Sequence, residues 1–214
     1  MIKGLLLQKQ DLKYKDFTIK LLNDNSVEVI GVRAKDIRDI AKKVNLSILD
    51  EKTNIYEMRL IKVLVIANSK KTFQEKLELL NKFIKQKEIT NWAITDSLAS
   101  ALKDFKKNLS EGLKYIKELL ENNDPFVVRL GIVFLKCYYC NDKYYKEAVE
   151  LIMNVNIEHY YVKMAKAWAL CEFYIYNKET KNYFKDLDQE TYKMTKQKIK
   201  DSYRIFKEDK EIPI

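Results

Sequence analysis

Ser110-Glu111-Gly112-Leu113-Lys114-Tyr115-Ile116-Lys117-Glu118-Leu119-Leu120-Glu121-Asn122-Asn123-Asp124-Pro125-Phe126-Val127-Val128-Arg129 reads as a helix, a tight turn and the opening of a second helix. Apolar side chains at 113, 116, 119 and 120 recur at spacings of three and four, the period of one helix face. Asn122-Asn123 then breaks the pattern. Asp124-Pro125 restarts it, because a carboxylate caps orphan N–H groups and proline at the first helical position gives up an N–H that has no partner anyway. Two antiparallel helices joined this closely form a single building block. The question is whether the block repeats.

The same reading extends in both directions. Polar breaks fall near Asn23-Asp24-Asn25-Ser26, Asn45 to Thr53, Asn68-Ser69-Lys70-Lys71, Thr90-Asn91, Asn141-Asp142, Asn154 to Glu158 and Asn177 to Thr180. Between them the periodicity predicts helices over 8–22, 33–44, 54–67, 72–87, 91–106, 110–121, 125–140, 143–153, 158–176, 180–186 and 189–207. From residue 33 onward these fall into consecutive pairs: 33–44 with 54–67, 72–87 with 91–106, 110–121 with 125–140, 143–153 with 158–176, and 180–186 with 189–207. The expected fold class is therefore all-α, a helical-repeat solenoid whose second helices line a concave basic face. Residues 1–214 are expected to form a single repeat domain, with residues 1–30 a less typical N-terminal helical cap.

Composition agrees with that class. Only 4 glycines and 2 prolines occur among 214 residues, too few for a turn-rich β architecture. No run of about 18 apolar residues is present, so no membrane partner is expected. Met1-Ile2-Lys3-Gly4-Leu5-Leu6-Leu7-Gln8 turns polar too soon for a signal peptide, and a cytoplasmic location is expected. The formal charge of +9 points to an acidic partner, nucleic acid first, although solvated lysine-rich helix faces would give the same number. Cys137, Cys140 and Cys171 are odd in number, which argues against a disulfide framework. Cys137-Tyr138-Tyr139-Cys140 lacks a second pair to complete a zinc site and is expected to be structural. The lone His159 leaves no room for a histidine-rich metal site or a recognisable catalytic triad.

One constellation stands out against this background. Trp92 and Asp96 lie four positions apart and so project from one side of a helix. Arg129 follows Trp92 by 37 positions, Trp168 follows Arg129 by 39, and Arg59 precedes Asp96 by 37. All of these steps fit a two-helix repeat of about 35–47 residues. All five residues fall on second helices of pairs. Taken singly these residues have ordinary explanations: core packing for an indole, a cap or surface charge for Asp96, a surface or structural ion pair for Arg129. Their shared phase favours a function. The last predicted helix adds Lys196 and Lys200, with Arg204 near its end, to the basic complement.

The chemistry that suits such a set is rupture of an N-glycosidic bond to a positively charged base. A carboxylate stabilises the oxocarbenium-like sugar and orients water. Indole faces attract cations by roughly 0.5–2 kcal/mol. A guanidinium grips backbone phosphate.

These residues resemble the AlkD-like DNA alkylation repair family, HEAT-like (ARM-type) repeat glycosylases. The resemblance runs from about residue 13 to residue 206. It is carried by Ile30-Gly31-Val32-Arg33, Ile37-Arg38-Asp39-Ile40-Ala41-Lys42, Asn91-Trp92 with Asp96, Val128-Arg129 with Gly131-Ile132, Tyr160-Tyr161-Val162-Lys163-Met164 with Ala167-Trp168, and Lys196-Gln197-Lys198-Ile199 with Ser202-Tyr203-Arg204-Ile205. It implies a glycosylase of cationic N3- and N7-alkylpurines in double-stranded DNA. Asp96 would be its catalytic carboxylate, Trp92 and Trp168 its cleft aromatics, and Arg129 its phosphate grip. Arg59, Lys196, Lys200 and Arg204 are expected to add phosphate contacts. No cofactor and no metal are implied, and a monomer is expected, nucleoid-associated when bound to DNA. Two rivals use the same helices: a non-catalytic nucleic-acid binder, and a protein-interaction scaffold.

Overall fold

A computed structural model describes residues 2–211. They divide into two compact units, Met1–Asp104 and Phe105–Ile214. The fold is an all-α helical repeat. Among the described residues β pairing is limited to two isolated bridges, Gln10 with Val32 and Glu28 with Ile55. No described helix is long and apolar enough to cross a membrane.

The first unit contains α1 (Ile2–Leu7), α2 (Leu12–Leu22), α3 (Ala34–Ala41), α4 (Tyr56–Asn68), α5 (Phe73–Lys85) and α6 (Trp92–Ala101). Side-chain caps account for three of the starts. Asp11 accepts from the Tyr14 amide, Thr72 and Glu75 form a reciprocal capping box, and Asn91 accepts from the Ile94 amide. Helix α4 packs against both α3 and α6, so Ile61, Val63 and Ile66 are fully covered. Expected and observed helices differ at both ends of this unit. Helix α1 precedes the predicted start at residue 8. Helix α2 begins only at Leu12, because Asp11 is its cap and Gln10 pairs with Val32. The predicted 91–106 helix breaks at Leu102, whose ψ of 65° leaves helical geometry before a 3-10 segment at Lys103–Lys107.

The second unit contains α7 (Leu109–Leu120), α8 (Pro125–Tyr138), α9 (Tyr145–Met153), α10 (Tyr160–Tyr176) and α11 (Gln189–Asp201). Helix α8 packs on α7 and α10, and α10 packs on α9 and α11. That sandwiching explains why every residue from Val127 to Leu135 is buried, and why this stretch is apolar nearly all round. Gly131 eases the close approach of α7: an added Cβ would lie 2.8 Å from the Leu120 Cδ2 atom, which would have to shift. The expected 180–186 helix is a 3-10 segment, Lys178–Asp186. The expected 189–207 helix stops at Asp201, where Ser202 turns extended (ψ 126°).

Backbone conformation makes glycine necessary in the turn before α3. Gly31 sits at φ +94°, and a Cβ there would lie 2.5 Å from the Lys15 Cβ and 2.7 Å from the Asp11 carbonyl oxygen. The buried Glu57 carboxylate fixes this turn by accepting from the amides of Ile30, Gly31 and Val32 at 3.0, 2.6 and 3.2 Å. Gly31→Ala is expected to cost about 1–3 kcal/mol from strain at positive φ, read as a lower urea midpoint with an unchanged slope.

Candidate functional site

In the first unit, α6 carries Trp92 in its first turn and Asp96 in its second, both half-buried. Trp92 packs with Val27 and Tyr56 against a small core of Leu22, Val29 and Ala93. One edge of its indole therefore belongs to the fold. The start of α6 is tied down by polar contacts from two other segments. Thr90 Oγ1 and Asn91 Nδ2 both donate to Asp24 Oδ2 at 2.8 Å. Arg59, on α4, donates from Nη1 to Thr90 Oγ1 at 2.8 Å and from Nε to the Thr53 carbonyl at 3.0 Å. Burial pushes the Asp24 carboxyl pKa up, but hydrogen bonds from Ser26, Asn91 and Thr90 outweigh it and hold it below the usual carboxylate range. Burial also lowers the Arg59 pKa from its ordinary value, against the opposing pull of Glu88 and Asp24.

In the second unit, Arg129 on α8 is only 4% exposed, and its Nη1 donates to the Tyr161 carbonyl at 2.7 Å. That bond ties α8 to the first turn of α10. Trp168, two turns further along α10, is half-buried, with the Lys136 ammonium 3.5 Å from the centre of its ring. Sequence reasoning missed Lys136, although it lies seven positions after Arg129 and so falls near the same face of α8. Lys196 and Lys200 lie on α11, half-buried and exposed respectively. Arg204 lies beyond the end of α11 and pairs with Glu172 of α10 at 2.7 Å.

The structure thus groups Trp92, Asp96 and Arg59 in one unit, and Arg129, Trp168, Lys196, Lys200 and Arg204 in the other. Asp24, Thr90 and Lys136 enter the picture from structure alone. Their only sequence signal was local, as polar breaks or surface lysine, and nothing in a single chain reveals a contact across 66 residues.

A model of the DNA alkylation repair enzyme family matches residues 6–206. The chain belongs to that family. The match covers nearly the whole sequence and reaches back into α1. No curated protein and no solved structure matches the chain. Family membership makes this protein a DNA alkylation repair enzyme, with DNA as its partner.

Two further groups of this repair enzyme bear on its chemistry. Among the described residues no cluster of three or more His, Cys, Asp or Glu side chains could hold a metal ion. Burial pushes the Cys140 and Cys171 thiols up to about 11. Cys140 also donates to the Glu172 carbonyl at 3.7 Å, which ties the segment just after α8 to α10. Thiolate is the reactive form. Iodoacetamide at pH 8 is therefore expected to modify both cysteines at least about 100-fold more slowly than free cysteine, measured by mass spectrometry of the native protein.

Proposed function

We propose that this repair enzyme is a DNA glycosylase that hydrolyses the N-glycosidic bond of cationic N3- and N7-alkylpurines in duplex DNA. The observation that carries the reading is the pairing on α6: a carboxylate and an indole one turn apart, both half-buried, in a chain of the alkylation repair family.

Alkylation at N3 or N7 leaves a formal positive charge on the purine. When the C1′–N bond breaks, the base keeps the bonding electrons and departs neutral, so no general acid is needed. Positive charge moves instead onto C1′ and the ring oxygen of the sugar. Asp96 stabilises that charge as it develops and accepts a proton from the water that adds to C1′. The products are free base and an abasic site. Trp92 offers an apolar wall to the sugar and an electron-rich face to positive charge. The indole of Trp168 already holds a cation, the Lys136 ammonium, which illustrates the affinity the substrate would use. Lys196 and Lys200 supply the accessible phosphate contacts, since Arg59 and Arg129 are 6% and 4% exposed. The protein acts as a monomer without metal or organic cofactor in this reading.

The test is single-turnover release of 7-methylguanine from a defined duplex by the wild-type protein. Free base accumulating with stoichiometric abasic sites supports the proposal. One observation favours the non-catalytic rival: the Lys136 ammonium lies over the Trp168 ring, where it competes with any cationic base for that indole. That reading expects salt-sensitive duplex binding and no base release.

A further inference from the structure

The polar contacts beneath α6 run in one direction. Arg59 has only N–H groups to offer, so its contact with Thr90 makes the threonine oxygen the acceptor and sends the hydroxyl proton to Asp24. Asn91 is similarly determined. Its Oδ1 takes the Ile94 amide at 3.1 Å as the cap of α6, which turns its Nδ2 toward Asp24 at 2.8 Å. Asp24 completes its own set by accepting from the Ser26 amide at 2.9 Å and the Ser26 hydroxyl at 2.6 Å through Oδ1. Each carboxylate oxygen thus receives two hydrogen bonds. Asn91 is 1% exposed, so its amide cannot turn to water for an alternative partner.

This relay ends immediately before Trp92 and about one turn short of Asp96. The neighbouring residues Leu22, Val27 and Val29 pack on the same first turn of α6, with Ala93 and Trp92. The Leu22–Val29 segment therefore clasps the helix start from its apolar and its polar side at once.

We propose that Asp24 and Arg59 are positioning residues of the repair reaction, acting through Thr90 and Asn91 to set the placement of the α6 helix that bears Trp92 and Asp96. The rate effect rests on the glycosylase reading; the effect on α6 does not. Arg59 thereby acquires a role inside the fold. The segment around Asp24, which lies far from α6 in sequence, becomes part of the site's support.

Replacing Asp24 by Asn puts an NH2 group against two donors or removes an acceptor from Ser26, whichever way the amide turns. Asp24→Asn is expected to slow single-turnover base release by about 10–100-fold, the scale of a small misplacement of reacting groups. Duplex affinity should stay within roughly twofold, because the phosphate contacts are elsewhere. Hydrogen exchange at the Ile94 amide should accelerate. Exchanging the partners, as Asp24→Asn with Asn91→Asp, restores an amide–carboxylate pair and keeps a capping side chain at 91. This double variant should recover part of both losses, the Asn91 half of the relay, because the Thr90 hydroxyl still faces a donor instead of an acceptor. Thr90→Val, which removes the hydroxyl and keeps the shape, should act in the same direction and guards against a poorly folding Asp24 variant.

Unchanged release and unchanged Ile94 exchange in Asp24→Asn would overturn the proposal. So would a loss of activity that merely tracks the unfolded fraction and is not recovered by the exchange. If the wild type releases no base, it is the glycosylase reading that fails. Ile94 exchange then decides alone: faster in the single variant and partly restored in the double supports positioning, and no change overturns it.

Discussion

Asp96→Asn is expected to reduce release of 7-methylguanine at least about 100-fold, the usual scale for removing one preorganised electrostatic group, while duplex affinity is preserved. The substitution keeps the shape of a half-buried side chain on α6 and removes only its charge. In the ground state the lesion is a cation on the base. In the transition state the charge lies on the sugar. An amide dipole in place of the carboxylate loses most of the attraction to that sugar and cannot take the proton from water. Binding should change little, because phosphate contacts through Lys196 and Lys200 do not involve α6. The informative comparison is single-turnover rate against dissociation constant, for both proteins on the same duplex. Equal rates would remove Asp96 from the mechanism. A parallel loss of rate and affinity would mark it as a binding residue instead.

Loss of stability on breaking the buried ion pair of the first unit is the second large effect. Lys62 on α4 and Glu88 in the loop before α6 pair at 2.7 Å, and both side chains are 0% exposed. The pair is fully used: Lys62 also donates to the Glu51 carbonyl, and Glu88 accepts from the Thr53 amide at 2.8 Å. Glu88→Leu leaves an ammonium without its counter-ion in a water-free site, which typically costs about 3–5 kcal/mol. Urea unfolding should show that loss as a lower midpoint. Lys62→Met together with Glu88→Leu should recover part of it, since a paired apolar replacement removes the stranded charge. Recovery should be incomplete because the Thr53 amide and Glu51 carbonyl still lose partners. A Glu88→Leu variant as stable as wild type would show that the pair contributes nothing.

Much of the helical framework was legible in the chain. The Asp124 cap and the apolar spacing depend only on local geometry, so α4, α5 and α7 to α10 appear within a few residues of their expected bounds. The misses share a cause as well. Helix α2 starts late because Gln10 pairs with Val32, and α6 ends early because Leu102, 1% exposed, turns into the interior. Both are decided by partners distant in the chain or by burial, which periodicity does not report.

The site divides the same way. Sequence by itself determined the all-α repeat, the placement of Trp92 and Asp96 on one helix, and the family to which the chain belongs. The first two follow from spacing along the backbone, which a helix converts directly into direction, and the third from the matching motifs. Tertiary structure alone decided how the charged groups are used. Arg59 and Arg129 look like any surface arginine in sequence, yet one reaches Thr53 and Thr90 and the other Tyr161. Lys136 meets an indole, Lys62 meets Glu88, and Asp24 meets Asn91 across 67 residues. Long charged side chains have many rotamers and no period, so only the packing around them selects a partner.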